Sequence, residues 1–261
     1  MVILETAAVA FGMFSALPVP QPEWNEKNMR YALCVFPLIG GVLGALWWGW
    51  AAVSAWLALP ALLRGGVFCL LPAAVTGGIH LDGYADTSDA LASFAPPERR
   101  REILRDSHCG AFAIIRLCGY FTGYFALCGT VETQDRAVLC MVLSFVLSRA
   151  LSGFAITAFP LAGNTGLAHT FATAAQKGRA GVVLAVTAAL CMGGMALWGG
   201  IAGVAMSAAA GVVLWQYVRT ARDKFGGISG DLAGWFLQRA ELWMLAALVA
   251  CQQMERWISM Q

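Results

Sequence analysis

Charged side chains are scarce in this sequence. Asp, Glu, Lys and Arg together fill 12% of its 261 positions, about half of what a soluble domain carries. Hydrophobic residues fill 59%, and a chain so apolar cannot cover its surface for water. That excludes a soluble globular domain. A basic excess is missing too. The formal net charge is only +2, which excludes nucleic acid as a partner. The eight cysteines form no CxxC pair, and most sit inside apolar runs. Neither a zinc site nor a disulfide framework is expected, only small residues that pack helices. The N-terminal stretch lacks a basic n-region and carries Glu5 within its apolar run, so no cleaved signal peptide is predicted.

What remains is a pattern of long apolar segments. A spanning helix needs roughly 20 apolar residues. Seven segments qualify, at about 31–59, 66–91, 110–130, 137–159, 181–199, 201–219 and 231–252. Residues 2–17 are apolar but short and end in Leu17-Pro18-Val19-Pro20, which predicts an interfacial or re-entrant helix. The fold class is therefore all-α: a polytopic transmembrane helical bundle of about seven spans plus that short N-terminal helix. With no repeat and no linker, residues 1–261 read as one catalytic domain embedded in a lipid bilayer. Association of identical copies is compatible with such a chain.

Lys and Arg set the orientation. Loops 18–30, 92–109, 160–180 and 219–230 hold 11 of the 17, from Lys27 and Arg30 through Arg99, Arg100, Arg101 and Arg105 to Lys224. The other side keeps Arg64, Arg136 and Arg256, while Arg116, Arg149 and Arg239 fall within spans. The first set of loops is read as cytoplasmic, in the cytoplasmic (inner) membrane.

The second span is interrupted. Its apolar part contains Pro72 and Gly77-Gly78 and runs into His80, Asp82, Asp86 and Asp89. Such interruptions mark segments that line a polar cavity. Three aspartates spaced i, i+4, i+7 share one helical face, within a sector of roughly 60°, and repel one another there. A hard divalent cation answers that repulsion, and Mg²⁺ takes carboxylates while bridging to substrate phosphates. The alternative is a solvated helix end. Asp82 is expected to be the deepest of the three. His80 lies almost opposite Asp82, so it joins a site only if Gly77-Gly78 breaks the helix. A structural hydrogen bond is its other role.

Further polar clusters fall on the same side. In Arg105-Asp106-Ser107-His108-Cys109-Gly110, Ser107 and backbone amides suit a phosphate and Asp106 supplies a fourth carboxylate; the alternative is a plain N-cap. Arg99 to Arg101 read as a surface anchor. Arg149, in mid-span, requires an anion, either a structural carboxylate or a substrate diphosphate. Gly226 to Asp231 reads as a flexible loop carrying Ser229 and Asp231 over the site, or as a turn with Asp231 as N-cap.

The block GGIHLDGYADTSDAL at 77–91 resembles the signature of the cobalamin synthase family, also called adenosylcobinamide-GDP ribazoletransferases. RDSHCGAF at 105–112, SRALSGFAITAFPLAGNTGLAHTF at 148–171, GGISGDLAG at 226–234 and the N-terminal FGMFSALPVP extend the resemblance over nearly the whole chain. It implies a Mg²⁺-dependent membrane transferase that joins adenosylcobinamide-GDP to α-ribazole, or its 5′-phosphate, and releases GMP. On this reading Asp82, Asp86, Asp89 and Asp106 are candidate Mg²⁺ ligands. Asp82, Asp89 and His80 are candidate proton-transfer groups. Ser107, His108, Arg149, Ser229 and Asp231 are candidate substrate contacts. Three other readings compete: a CDP-alcohol-type phosphotransferase, which shares Asp82-Gly83-x-x-Asp86 in part; an intramembrane prenyltransferase, which needs a second Asp-rich cluster; and a cation transporter, which needs carboxylates nearer the midplane.

The charge count predicts that a cysteine placed at Ser93, in a background without other reactive thiols, resists an impermeant thiol reagent added to intact cells. Rapid labelling from outside contradicts the orientation.

Overall fold

The computed structural model describes residues 2–20, 22–106, 108–163 and 167–261. Among them regular structure is entirely helical, apart from one isolated bridge between Leu161 and Ile228. In chain order the helices are α1 (Val2–Phe14), α2 (Glu26–Met29), α3 (Ala32–Trp56), α4 (Ala61–Thr76), α5 (Ile79–Ala92), α6 (Pro97–Ile103), α7 (Ala111–Thr130), α8 (Asp135–Ala158), α9 (Leu167–Ala174), α10 (Lys177–Thr220) and α11 (Gly230–Ser259), with a π-helical turn at Ala221–Phe225. Four helical segments are long and apolar enough to cross a bilayer: α3, α7, α8 and Lys177–Phe225. The bent pair α4–α5 makes a fifth if it is one span. This is a multi-pass membrane protein.

The interruption expected in the span at 66–91 is a full break between two helices. Gly77 and Gly78 both adopt left-handed backbone, with φ of +64° and +82°, a conformation that costs residues with a Cβ. Gly77 closes α4 and Gly78 opens α5, and the two axes meet at 94°. A second glycine reverses the chain. Gly200, at φ +56°, divides α10, and Gly203 then lies against the Met195 carbonyl, where a side chain has no room. The two arms of α10 therefore run back along each other. α1 has 13 residues, short of the roughly 20 a span requires. It rests Val9 and Ala10 in the core and packs Phe14 at a tilt against Phe36 with ring centroids 4.6 Å apart.

Close packing in the bundle comes from small residues, as membrane helices require. Gly44 of α3 leaves room for Val142 of α8, where a Cβ would come within 2.8 Å of Cγ1. Deep in this layer Arg149 pairs with Glu241 of α11, each side chain 1% exposed. Ser148 Oγ donates to the same Glu241 oxygen at 3.2 Å, and Arg149 donates to the Phe145 carbonyl at 3.0 Å. Of the two partners expected for Arg149, the structure supplies the carboxylate.

Breaking one half of such a pair leaves an uncompensated charge in an apolar interior. Arg149→Ala and Glu241→Ala are each expected to lower stability by about 3–5 kcal/mol, and the double variant by clearly less than their sum. Denaturation in detergent measures this. Strictly additive losses contradict the pairing.

Candidate active site at the broken helix

The break at Gly77-Gly78 decides what α5 can expose. Because α4 turns away, the first turn of α5 has no preceding turn stacked on its end, and a cavity of about 490 Å³ reaches both sides of it. His80 and Asp82, on nearly opposite faces of α5, both line this cavity. Asp82 is exposed, whereas Asp86 and Asp89 are half-buried. Asp82, the residue of the three closest to the break, opens on the cavity. His80 is buried, packs edge-on against Phe36 at 5.7 Å, and has no hydrogen-bond partner at Nε2.

The second wall is α11. Gly83 and Gly234 let the two helices touch backbone to backbone. A Cβ on Gly83 would come within 2.6 Å of the Asp231 carbonyl, and one on Gly234 within 2.8 Å of the His80 carbonyl. This contact carries Asp231 to the same cavity as Asp82, and Asp82, Asp89 and Asp231 all lie within electrostatic reach of Asp86.

Asp231 is not the helix cap. Ser229 is: its hydroxyl accepts from Leu232 N–H at 3.2 Å, and the Asp231 carboxylate is left available. The loop before it is tied to its neighbours by hydrogen bonds. Ile228 N–H donates to the Pro160 carbonyl at 2.9 Å, Ala162 N–H donates to the Ile228 carbonyl at 2.8 Å, and Arg101 Nη1 donates to the Phe225 carbonyl at 2.9 Å. Ser229 and Asp231 therefore face the cavity from a fixed support.

The remaining candidates lie apart. Asp106 does not line this cavity. It is solvent-exposed and accepts from the His108 backbone N–H at 3.0 Å, with His108 Nδ1 at 2.7 Å. That bonding holds the Asp106 carboxyl below the usual carboxylate range. Ser107 is outside the described residues. Asp89 turns to the start of α7, against Gly110. Arg149 is committed to Glu241.

Several lining residues escaped the sequence reading: Arg101, Arg105, Ser152 and His169. Ser152 and His169 fall inside the 148–171 block, and Ser152 is one turn beyond Arg149 on the same buried face. Like His80 Nε2, its hydroxyl is buried without a partner, which is costly unless a ligand completes it. Phe14, Phe36 and Phe171 form the apolar wall, with Phe14 and Phe171 centroids 5.3 Å apart. The cavity thus has a carboxylate edge at Asp82 and Asp231, cations at Arg101 and Arg105, and an aromatic end.

A metal is tested by the donor set. The carboxylates are hard oxygen donors, the type Mg²⁺ prefers. As placed, however, no three His, Cys, Asp or Glu side chains among the described residues stand close enough to hold an ion together. The described side chains therefore present no preformed three-ligand site.

Fold and cavity define the class: a polytopic helical membrane protein whose polar residues converge on one cavity at its helix ends. The model of a protein family described as cobalamin-5-phosphate synthase matches residues 6–249. An adenosylcobinamide-GDP ribazoletransferase of Lachnoclostridium phytofermentans is 39% identical over 249 residues, 95% of this chain and 95% of the relative. Proteins of the same name from Geobacillus thermodenitrificans and Clostridium perfringens are 30% and 29% identical, covering 90% and 88% of this chain and 92% and 91% of their own. No solved structure matches the chain. The chain belongs to the cobalamin-5-phosphate synthase family, and it is a transferase. The transporter and prenyltransferase readings fall away with that membership.

The α5–α11 contact is the testable feature. Gly83→Ala is expected to force the helices apart, costing about 1–3 kcal/mol of stability and most of the transferase activity. Gly41→Ala, where an added Cβ meets nothing within 4 Å, serves as control. Wild-type turnover in Gly83→Ala contradicts the assembly of the site by this contact.

Proposed function

We propose that this chain joins adenosylcobinamide-GDP to α-ribazole, or to α-ribazole 5′-phosphate, at the cavity between α5 and α11. A hydroxyl of the ribazole ribose attacks the phosphorus on the cobinamide side of the diphosphate. A new phosphodiester forms, the diphosphate P–O–P bond breaks, and GMP leaves with its electron pair. The observation that carries the reading is the convergence of Asp82 and Asp231, from two different helices, on a cavity that also holds Arg101 and Arg105.

Phosphoryl transfer is mainly positioning and charge neutralisation, and the residues divide accordingly. Arg101 and Arg105 face the departing phosphates. Mg²⁺, when bound by Asp82 together with Asp86 or Asp231, supplies the additional neutralisation of the diphosphate that carboxylates cannot. A carboxylate not committed to the ion, or His80, accepts the hydroxyl proton. The cavity volume suits a nucleoside-sized molecule and not a corrinoid, so the ribazole enters. Its planar base lies against Phe14, Phe36 and Phe171, with Ser152 and His80 available to its ring nitrogen. The cobinamide stays at the cavity mouth.

The same reading supports seven spans. The reversal at Gly200 separates two arms in α10, and α11 is 30 residues long. With α3, the α4–α5 pair, α7 and α8, they give the expected number, with α1 at the interface. The Lys and Arg bias supports a cavity facing the cytoplasm.

The direct test is GMP release by purified protein given adenosylcobinamide-GDP, with and without α-ribazole. Release that requires both is expected. In the same assay Asp231→Ser should lower kcat/KM by roughly 30- to 150-fold, the loss of one charge-assisted interaction of about 2–3 kcal/mol, with an unchanged melting temperature. Unchanged kinetics remove Asp231 from the site.

A further inference from the structure

α5 has two polar faces. Tyr84, Ser88 and Leu91 repeat the i, i+4, i+7 spacing of the aspartates two positions on, which rotates them by about 200°. They line a second cavity, of about 430 Å³, on the side of the helix away from Asp82, Asp86 and Asp89. Its other walls are the second turn of α7 and the second and third turns of α11, which contribute Arg116 and Arg239.

These two arginines lie within electrostatic reach of each other and of Tyr84. Among the described residues neither forms an ion pair with a carboxylate. Arg239 is already held in a fixed pose. Its guanidinium lies 4.4 Å from the Trp235 ring centroid, and Nη2 donates to Gln216 Oε1 at 2.6 Å. Arg116 is exposed. Two like charges in one cavity without a counter-charge, on helices that enter a bilayer, call for an anion.

The surroundings identify what carries it. Of the four long apolar segments α7 is the most outward-facing, with only 22% of its most apolar window buried inside the protein. The cavity rim bears Phe94 and Phe112, 89% and 55% exposed. Phe94 is held at φ +52°, an unusual backbone for a bulky residue. Aromatic side chains at helix ends sit at the headgroup level of a bilayer. Arg116 is five residues into α7, about 8 Å along its axis, within snorkelling distance of that level. A free phosphate gains nothing from an apolar rim, whereas a lipid fills both parts.

We propose that this second cavity binds the phosphate group of an anionic membrane lipid, with Arg116 and Arg239 as its counter-charges and Phe94 and Phe112 bordering the acyl chains. The site is independent of the transferase cavity. Through α5, however, it supports the helix that carries the aspartates.

The test uses full-length protein stripped of lipid in neutral detergent. Phosphatidylglycerol, phosphatidylcholine or inorganic phosphate is then added, with lipid retention read by native mass spectrometry and melting temperature read in parallel. Preferential retention of phosphatidylglycerol over phosphatidylcholine is expected, with a rise in melting temperature. Arg116→Gln should weaken that retention about tenfold, the size of one lost charge-assisted contact. Arg116→Lys should keep most of it, and Arg136→Gln, at an exposed arginine outside the cavity, all of it. Arg116 is exposed, so its replacement leaves the fold intact where Arg239→Gln risks disturbing it. Equal retention by Arg116→Gln and wild type overturns the proposal. So does stabilisation by inorganic phosphate equal to that by the lipid, which assigns the site to a free anion. GMP release plays no part in the readout, so this result stands apart from the assigned reaction.

Discussion

The site depends on α5 and α11 touching backbone to backbone at Gly83 and Gly234. A side chain at either position would separate the helices by the width of a methyl group or more, and Asp231 would leave the cavity that Asp82 lines. The break at Gly77-Gly78 makes the contact possible. A straight continuation of α4 would carry the acidic segment on along that helix's axis, whereas the 94° turn lays α5 against the N-terminal part of α11. Two glycines that bend the chain and two that let it pack close are therefore as much part of the site as its carboxylates.

Electrostatics divides the interior into two regions with different solutions. In mid-bundle the Arg149–Glu241 pair neutralises itself, with Ser148 and the Phe145 carbonyl adding hydrogen bonds to it. At the helix ends Asp82, Asp89 and Asp231 lie within electrostatic reach of Asp86, and among the described residues none of the four forms an ion pair. Such a cluster is at ease only with cations brought from outside or drawn from the cavity rim, where Arg101 and Arg105 stand. In the proposed reaction a magnesium-bound diphosphate would supply that charge, and the cost of holding the carboxylates together would become affinity for the substrate.

Much of this was legible in the sequence because its signals were local. Apolar length gave the helical membrane class, the Gly-Gly pair gave the interruption, and the i, i+4, i+7 aspartates gave the acidic face. Spatial pairing was less accessible. Nothing in the spacing of Arg149 and Glu241 announces an ion pair across 92 positions. The bonds from Pro160 and Ala162 that fix the Ile228 loop are likewise invisible to periodicity. Asp231 reads as a cap because it opens an apolar run, and only the geometry gives that role to Ser229. Ser152 and His169 lay within a block already matched to the family, but a serine in a small-residue stretch reads first as packing.

The central claim is that Asp82 of α5 and Asp231 of α11 serve one ion and one diphosphate. Electron paramagnetic resonance of Mn²⁺, used in place of Mg²⁺ with detergent-solubilised protein and a nucleoside diphosphate, tests it most directly. The account predicts saturable Mn²⁺ binding that Mg²⁺ displaces and that is weakened alike in Asp82→Asn and Asp231→Asn, but not in Asp223→Asn. Binding unaffected by Asp231→Asn would contradict it.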